Sequence, residues 1–146
     1  MVRRLRKLAK ISASEWLLLP QLIFFSLGAA VVLKIAGLSR LVGLMTQCAV
    51  ARRLSIFPLL HRRHEIARLT TLVELATRVT HGQKRCLPRS LLMFWLLKAR
   101  GEPARLLIGI SKIASTFESH AWIEVKGTVM VDNPEVTGQF ATILQF

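Results

Sequence analysis

Three side chains in the second half of the chain have the types and the order that cysteine nucleophile chemistry requires. Cys86 offers a thiol, His120 an imidazole and Asp132, the only aspartate in the sequence, a carboxylate. A thiol attacks carbonyl carbon as its thiolate, so it needs a neighbouring base, and the base needs a group that orients its ring. The three residues therefore predict a nucleophile, a general base and acid, and an orienting carboxylate.

The surroundings of Cys86 favour a reactive thiol. A helical pattern of apolar residues starts at Cys86, carries Pro88 in its first turn and ends at Gly101. The unpaired N–H groups of a helix N-terminus stabilise a thiolate, and Lys84 and Arg85 add positive charge. We therefore expect a lowered pKa for Cys86. The alternative is a small buried packing residue, the commoner role of a free cysteine.

His120 and Asp132 lie in two segments that the pattern predicts to be paired strands. Residues 119–125 alternate so that His120 shares a face with Trp122, and residues 129–132 form the return strand. A three-residue loop at 125–127, with positive φ only at Gly127, would pair His120 with Asp132. A two-residue loop at 126–127 would send them to opposite faces, so we predict the three-residue loop. Taken singly, each residue also fits a structural role.

The motifs around these residues are specific in combination, and they cover about residues 68–140: Cys86-Leu87-Pro88-Arg89-Ser90-Leu91, Gly101-Glu102-Pro103-Ala104-Arg105, His120-Ala121-Trp122-Ile123-Glu124-Val125 and Asp132. Together they resemble those of the lasso peptide leader peptidases, in the transglutaminase-like branch of the papain-type cysteine enzymes. The resemblance implies that Cys86 is the nucleophile, His120 the general base and acid, and Asp132 the orienting group of a Cys-His-Asp triad.

The resemblance also implies a substrate and partners. The enzyme would remove the leader from a ribosomally made lasso peptide precursor, before a separate ATP-using cyclase forms the macrolactam. In the split form of the family, a small PqqD-like protein holds the leader. The sequence has no β-rich segment before residue 104 that resembles such a recognition domain. We therefore expect the leader-recognition protein to be a separate chain.

Two other functions stay open on the sequence. Another transglutaminase-like acyl transferase would use the same triad with an amine as acceptor. A non-catalytic, basic, membrane-associated protein would account for the charge but would leave the three residues unrelated. For the acyl-transfer chemistry, Gln83 and the backbone N–H of Cys86 are the candidate oxyanion donors.

No cofactor and no metal ion is expected. His61 and His64 are spaced like a metal pair, but no carboxylate or third histidine follows at a ligand spacing, so we expect a solvated basic helix face there. Cys48 lies in an apolar helical pattern and is interpreted as inert packing. Since one of the two cysteines is expected to be reactive, a disulfide scaffold is disfavoured and the reducing cytoplasm is the expected location.

Composition limits the fold and the partners. A chain of 146 residues suits one domain, and 52% apolar residues are ample for a core. The order of the predicted elements, a helical half followed by strands, predicts an α+β fold. We divide it into a basic, hydrophobic, helical region at 1–60 and a papain/transglutaminase-like core at 61–146, with the nucleophile helix packed on a small antiparallel sheet. The net charge of +13 comes without a zinc-finger spacing or an RNA-binding aromatic motif, which disfavours nucleic acid. An anionic membrane or an acidic partner fits the charge equally well.

The N-terminal run Trp16 to Leu33 has 18 uncharged residues, the length at which a membrane span begins to be feasible. Pro20 and Gln21 interrupt it, and basic residues lie on both sides, so no orientation follows from the charges. Three interpretations stay open: a span, a helix on a membrane surface or a partner, and a core helix. We expect residues 1–34 to contribute contact with a partner or with the inner face of the membrane.

Overall fold

The computed structural model describes residues 12–50, 58–59, 61–113 and 116–146. Within these ranges a helical half precedes a four-stranded antiparallel sheet, so the predicted α+β class is confirmed. The elements are, in order, α1 (Ala13–Ala36), α2 (Leu38–Val50), a 3₁₀ turn (His61–Arg63), α3 (Ile66–His81), α4 (Cys86–Ala99), β1 (Ala104–Ile113), β2 (Thr116–Val125), β3 (Thr128–Val129), α5 (Pro134–Thr137) and β4 (Ala141–Gln145).

The sheet has the strand order β3-β2-β1-β4. The two long strands, β1 and β2, pair antiparallel over their whole length, from Ala104 opposite Val125 to Ile113 opposite Thr116. The short β3 covers only one end of β2, whereas β4 pairs with the other edge of β1. Most of β2, including the position of His120, is therefore held in place by β1.

Helix α1 begins at a capping box. The Ser12 side chain accepts from the backbone N–H of Glu15, and the Glu15 carboxylate accepts from the Ser12 N–H at 2.7 Å. Glu15 is buried and also pairs with Arg68 of α3, whose Nη2 lies 2.9 Å from Oε2. The hydrogen bond from Arg68, assisted by the Ser12 N–H, lowers the pKa of Glu15 to about 2. This ion pair ties the start of α1 to α3.

The two faces of α1 have different surroundings. Its buried face, with Leu18, Leu22, Ser26 and Ala29, packs into the core, while the opposite face is exposed. Among the described residues, α1 is the helix that is long and apolar enough to cross a membrane, judged by length and composition alone. In its most apolar stretch of 18 residues, 22% are buried. The N-terminal run is thus a helix with one face in the core and the opposite face exposed.

Helix α4 forms the centre of the core. It is buried from Ser90 to Leu97, and Phe94 has no exposed surface. A single cluster of buried side chains extends from Leu18 of α1 through α4 to Ile123 of β2. Helices cover α4 on one side and the sheet covers it on the other, and its N-terminal part lies against β2, where Ser90 hydrogen-bonds the Ala121 carbonyl. The proposed division at residue 60 stays a prediction, since residues 51–57 and 60 lie outside the described residues.

The predicted three-residue hairpin loop is wrong. Val125 pairs with Thr128 and Glu124 with Val129, so the loop is the two-residue Lys126-Gly127, with φ of 52° and 80°. These angles are those of a type I′ turn, whose twist matches that of the flanking strands. The strand partner of His120 is accordingly Gly109 of β1 rather than Asp132. Asp132 nevertheless reaches the imidazole, because the chain bends after β3 and regular alternation no longer governs its side chain.

The expectation of a solvated helix face at His61 is also wrong. His61 is only 1% exposed and lies in the 3₁₀ turn, where its Nδ1 donates to the Pro58 carbonyl at 2.7 Å. Arg100 binds this turn from the end of α4, with Nη1 2.8 Å from the His64 carbonyl. His61 therefore anchors the connection into α3.

Candidate active site

Helix α4 starts at Cys86, as the sequence predicts, and places the half-buried thiol at its N-terminus. The largest effect on the pKa of Cys86 is a hydrogen bond with His120, which lowers it. The backbone N–H groups of Ala121 and Leu87 lower it further, and together these interactions outweigh burial, which raises it. The site therefore favours the thiolate, the form that acts as a nucleophile.

The imidazole of His120 lies between the thiol and a carboxylate. Its Nε2 is 3.4 Å from Oδ1 of Asp132, an ion-pair separation longer than the roughly 2.9 Å of a well-formed hydrogen bond. Contact with Asp132 is the largest cause, and contact with Cys86 the second, of a pKa raised from 6.5 to about 9. Because Nε2 faces Asp132, Nδ1 is the nitrogen left for the thiol. The arrangement suits a thiolate–imidazolium pair.

Asp132 lies just after β3, and its side chain is 11% exposed. Burial by itself raises the pKa of this carboxyl, but the contact with His120 and the positive charge of Arg89 hold it below its ordinary value. Oδ1 accepts from Arg89 as well as facing His120. The carboxylate is therefore ionised and held from two sides.

Arg89 is the functional neighbour that sequence reasoning missed. Its side chain is 15% exposed, and its guanidinium binds Asp132 and also lies 3.5 Å from the Glu74 carboxylate of α3. The signal was present, because residues three apart on a helix lie on one side and Arg89 follows Cys86 by three. Knowing that it meets Asp132, 43 residues later, requires the tertiary structure.

A buried hydrogen bond joins the nucleophile helix to the strand of the imidazole. Ser90 Oγ of α4 donates to the Ala121 carbonyl of β2 at 2.9 Å, and both residues are almost fully buried. Ala121 follows His120 directly and also directs its N–H towards the Cys86 sulfur. The hydrogen bond thus fixes the position of the N-terminus of α4 along β2.

Two aromatic rings flank the imidazole. The His120 ring centroid is 6.3 Å from that of Trp122 and 5.3 Å from that of Phe140. Gly109, opposite His120 on β1, leaves room for both, since a Cβ there would come within 2.8 Å of Trp122 and 2.9 Å of Phe140. The two rings therefore restrict the space into which the imidazole can rotate.

The other predicted site residues are placed as follows. Gln83 is exposed in the turn before α4, and its role as an oxyanion donor stays a prediction. The Cys86 backbone N–H belongs to the first helical turn, where N–H groups lack intrahelical partners. Cys48 is partly buried against the core. In the part of the chain that the structure describes, no three His, Cys, Asp or Glu side chains gather as they would around a metal ion.

The thiolate–imidazolium pair predicts an unusual pH dependence of alkylation. The pKa of His120 is raised, so its charged form stabilises the folded protein fully below the ordinary pKa of 6.5. This stabilisation is lost as the pH rises through about 9. Because the charged ring stabilises the neighbouring thiolate, iodoacetamide should modify Cys86 at pH 7 faster than it modifies a free thiol, with a rate midpoint below the ~8.5 of a free thiol. His120→Ala should move the midpoint upwards. An unchanged midpoint in that variant, measured by mass spectrometry in a Cys48→Ala background, would contradict the pairing.

Arg89→Met should destabilise the protein by about 1–3 kcal/mol, because a partly buried carboxylate loses a charged hydrogen-bond partner. Arg85→Met is the matched control, since Arg85 binds Glu74 at 2.9 Å and is not a partner of Asp132. Urea unfolding at pH 7 gives both values. An Arg85→Met loss as large as that of Arg89→Met would mean that the Glu74 contacts, not Asp132, carry the effect.

Comparison with known proteins agrees with this geometry. The family model described as the transglutaminase-like superfamily matches residues 29–145, most of the chain. No curated protein and no solved structure matches the chain. The superfamily includes cysteine proteases and acyltransferases, both of which use a thiol nucleophile. With a family match over more than half of its length and a thiol, imidazole and carboxylate brought together at a helix N-terminus, the chain belongs to the transglutaminase-like superfamily.

Proposed function

We propose that this protein is a cysteine peptidase that removes the leader from a ribosomally made lasso peptide precursor. The observation that supports it most strongly is the imidazole of His120 between the Cys86 thiol and the Asp132 carboxylate. The lasso peptide substrate follows from the resemblance of the motifs at 86–91, 101–105 and 120–125. The superfamily match supports the coarser statement of cysteine acyl-transfer chemistry.

In the proposed reaction the Cys86 thiolate attacks the carbonyl carbon of the last leader residue. The tetrahedral oxyanion is stabilised by the backbone N–H of Cys86 and by Gln83. The C–N bond then breaks, and His120, protonated at Nδ1, gives its proton to the departing amine of the core peptide. A thioester joins the leader to the enzyme.

Water completes the cycle. Neutral His120 takes a proton from a water molecule, which attacks the thioester carbonyl and releases the leader as a carboxylic acid. The thiolate and the imidazolium are thereby restored. Throughout, Asp132 holds Nε2 and favours the charged ring, while Arg89 keeps the Asp132 carboxylate ionised.

The proposed partners are the precursor, a leader-recognition protein and a cyclase. Within the described residues no strand precedes β1, so no separate β-rich unit that could recognise the leader lies before the sheet that carries His120. We assign that role to a separate PqqD-like protein. The freed N-terminus of the core then passes to a separate cyclase. A reactive thiol needs a reducing compartment, so the proposed location is the cytoplasm, at the inner face of the membrane.

The second candidate is an acyl transferase with the same triad, and the superfamily match favours it as much as hydrolysis. The two differ in the acceptor that attacks the thioester. Mass spectrometry of the leader product separates them, because hydrolysis adds water and transfer adds an amine.

Variants of the three residues test the mechanism. Cys86→Ala should abolish leader cleavage, His120→Ala should come close to doing so, and Asp132→Ala should leave more activity because it removes only the orienting group. The assay follows the precursor, its leader and its core by mass spectrometry, and Cys48→Ala is the matched cysteine control. Full cleavage by Cys86→Ala would rule out the mechanism, and so would a weaker effect for His120→Ala than for Asp132→Ala.

The separate recognition protein makes a further prediction. Holding the leader raises the local concentration of the scissile bond, so cleavage at substrate far below saturation should increase by roughly 10²-fold or more when a leader-binding protein is added. Precursor with a scrambled leader is the control and should show no increase. Equal rates with and without the leader-binding protein would show that this chain recognises its substrate alone.

A further inference from the structure

Helix α1 carries an apolar stripe on the face opposite the core. The stripe repeats at helical spacing, and each of its large members is between 49% and 81% exposed. We define the apolar stripe as Trp16, Leu17, Phe24, Leu27, Val31 and Ile35. It extends over about 20 residues, or roughly 30 Å of helix. Contiguous apolar surface of this length is uncommon on soluble monomers and marks a contact with a protein or a membrane.

The apolar surface continues beyond α1. A groove of about 260 Å³ lies between α1, α2 and α4, and it is lined by Phe24, Gly28, Leu44, Met45 and Trp95 among others. Leu44, on the α2 side, is itself 52% exposed. The groove therefore widens the stripe into a face formed by two helices.

Basic residues lie near the C-terminal end of the apolar stripe and, in the sequence, before the start of α1. Exposed Lys34 and Arg40 lie near the C-terminal end of the stripe, close to the junction of α1 and α2. In the sequence, five basic residues precede α1: Arg3, Arg4, Arg6, Lys7 and Lys10. The chain as a whole carries a net charge of +13. Apolar residues flanked by basic ones match a bilayer surface with anionic headgroups, where each nearby Lys or Arg adds to the attraction.

We infer that the apolar stripe docks the protein on the surface of an anionic lipid bilayer, with α1 parallel to the membrane plane. The opposite face of α1 requires this orientation. Leu18 and Leu22 are at most 1% exposed in the core, and Glu15 is bound to Arg68. A transmembrane orientation would pull these groups out of the fold, whereas surface docking leaves every one of these contacts in place. The inference stands whether or not the proposed peptidase function is correct.

Vesicle co-sedimentation of the full chain tests the docking. Vesicles of phosphatidylcholine with phosphatidylglycerol should bind the protein at least about tenfold more tightly than vesicles of phosphatidylcholine alone, and 0.5 M salt should reduce the difference. Phe24→Glu and Ile35→Glu should each weaken binding by about tenfold or more, since a charge replaces a buried apolar group.

Val79→Glu is the matched control. Val79 is an apolar residue of α3 with 68% exposure, close to the 73% of Phe24, and its substitution changes the net charge by the same amount. It should bind vesicles like the unmodified protein. Circular dichroism and Cys86 alkylation identify any variant that has lost its fold, and Val31→Glu provides a replacement for it.

Three results would overturn the inference. The first is equal binding to neutral and anionic vesicles, and the second is binding that Phe24→Glu and Val79→Glu weaken equally. The third is failure of the protein to bind vesicles while light scattering detects a dimer that Phe24→Glu dissociates. This last result would assign the apolar stripe to contact between two copies of the chain.

Discussion

The site depends on one contact, between the N-terminus of α4 and the middle of β2. Ser90 donates to the Ala121 carbonyl, and this buried hydrogen bond fixes the helix at one height along the strand. At that height the Cys86 sulfur meets the Ala121 N–H and the His120 ring. A helix displaced by one turn, about 5.4 Å, would leave the thiol beyond reach of both. Packing of α4 on all sides makes such a displacement costly.

Electrostatics organises the groups around that contact into alternating charges. The Cys86 thiol, whose pKa is lowered, faces the His120 ring, whose pKa is raised; the ring faces the carboxylate of Asp132, and Arg89 lies beyond it. Glu74 of α3 completes the row. Partly buried charges are costly unless each has an opposite neighbour, so the row lets several ionised groups share a small volume. It also links the helical half to the loop after β3.

The N-terminal helices support the site from behind. Helix α1 packs on α3 through Glu15 and Arg68, and α3 supplies Glu74 to the charged row. The opposite face of α1 is exposed. One face of α1 therefore packs into the core, and the opposite face carries the apolar stripe. A surface that binds the apolar stripe does not contact Cys86 directly.

The sequence by itself indicated the fold class and the side chains that could take part in thiol chemistry. The helix start at Cys86 was predictable because the placement of Pro88 and the spacing of the apolar residues are local signals, and the α+β class followed from the order of the predicted elements. The identities of Cys86, His120 and Asp132 followed from side-chain types and order. Such properties depend on residues close in the chain.

Only the tertiary structure decided how these parts meet. Local preference disfavoured Lys126 at positive φ, yet the paired strands impose a two-residue turn on it. The bend after β3 brings Asp132 to His120, and Arg89, 43 residues earlier in the chain, donates to the same carboxylate. The burial of His61 and the exposed face of α1 likewise depend on which elements pack around them. Contacts of this kind depend on residues that are far apart in the sequence, so no local sequence pattern predicts them.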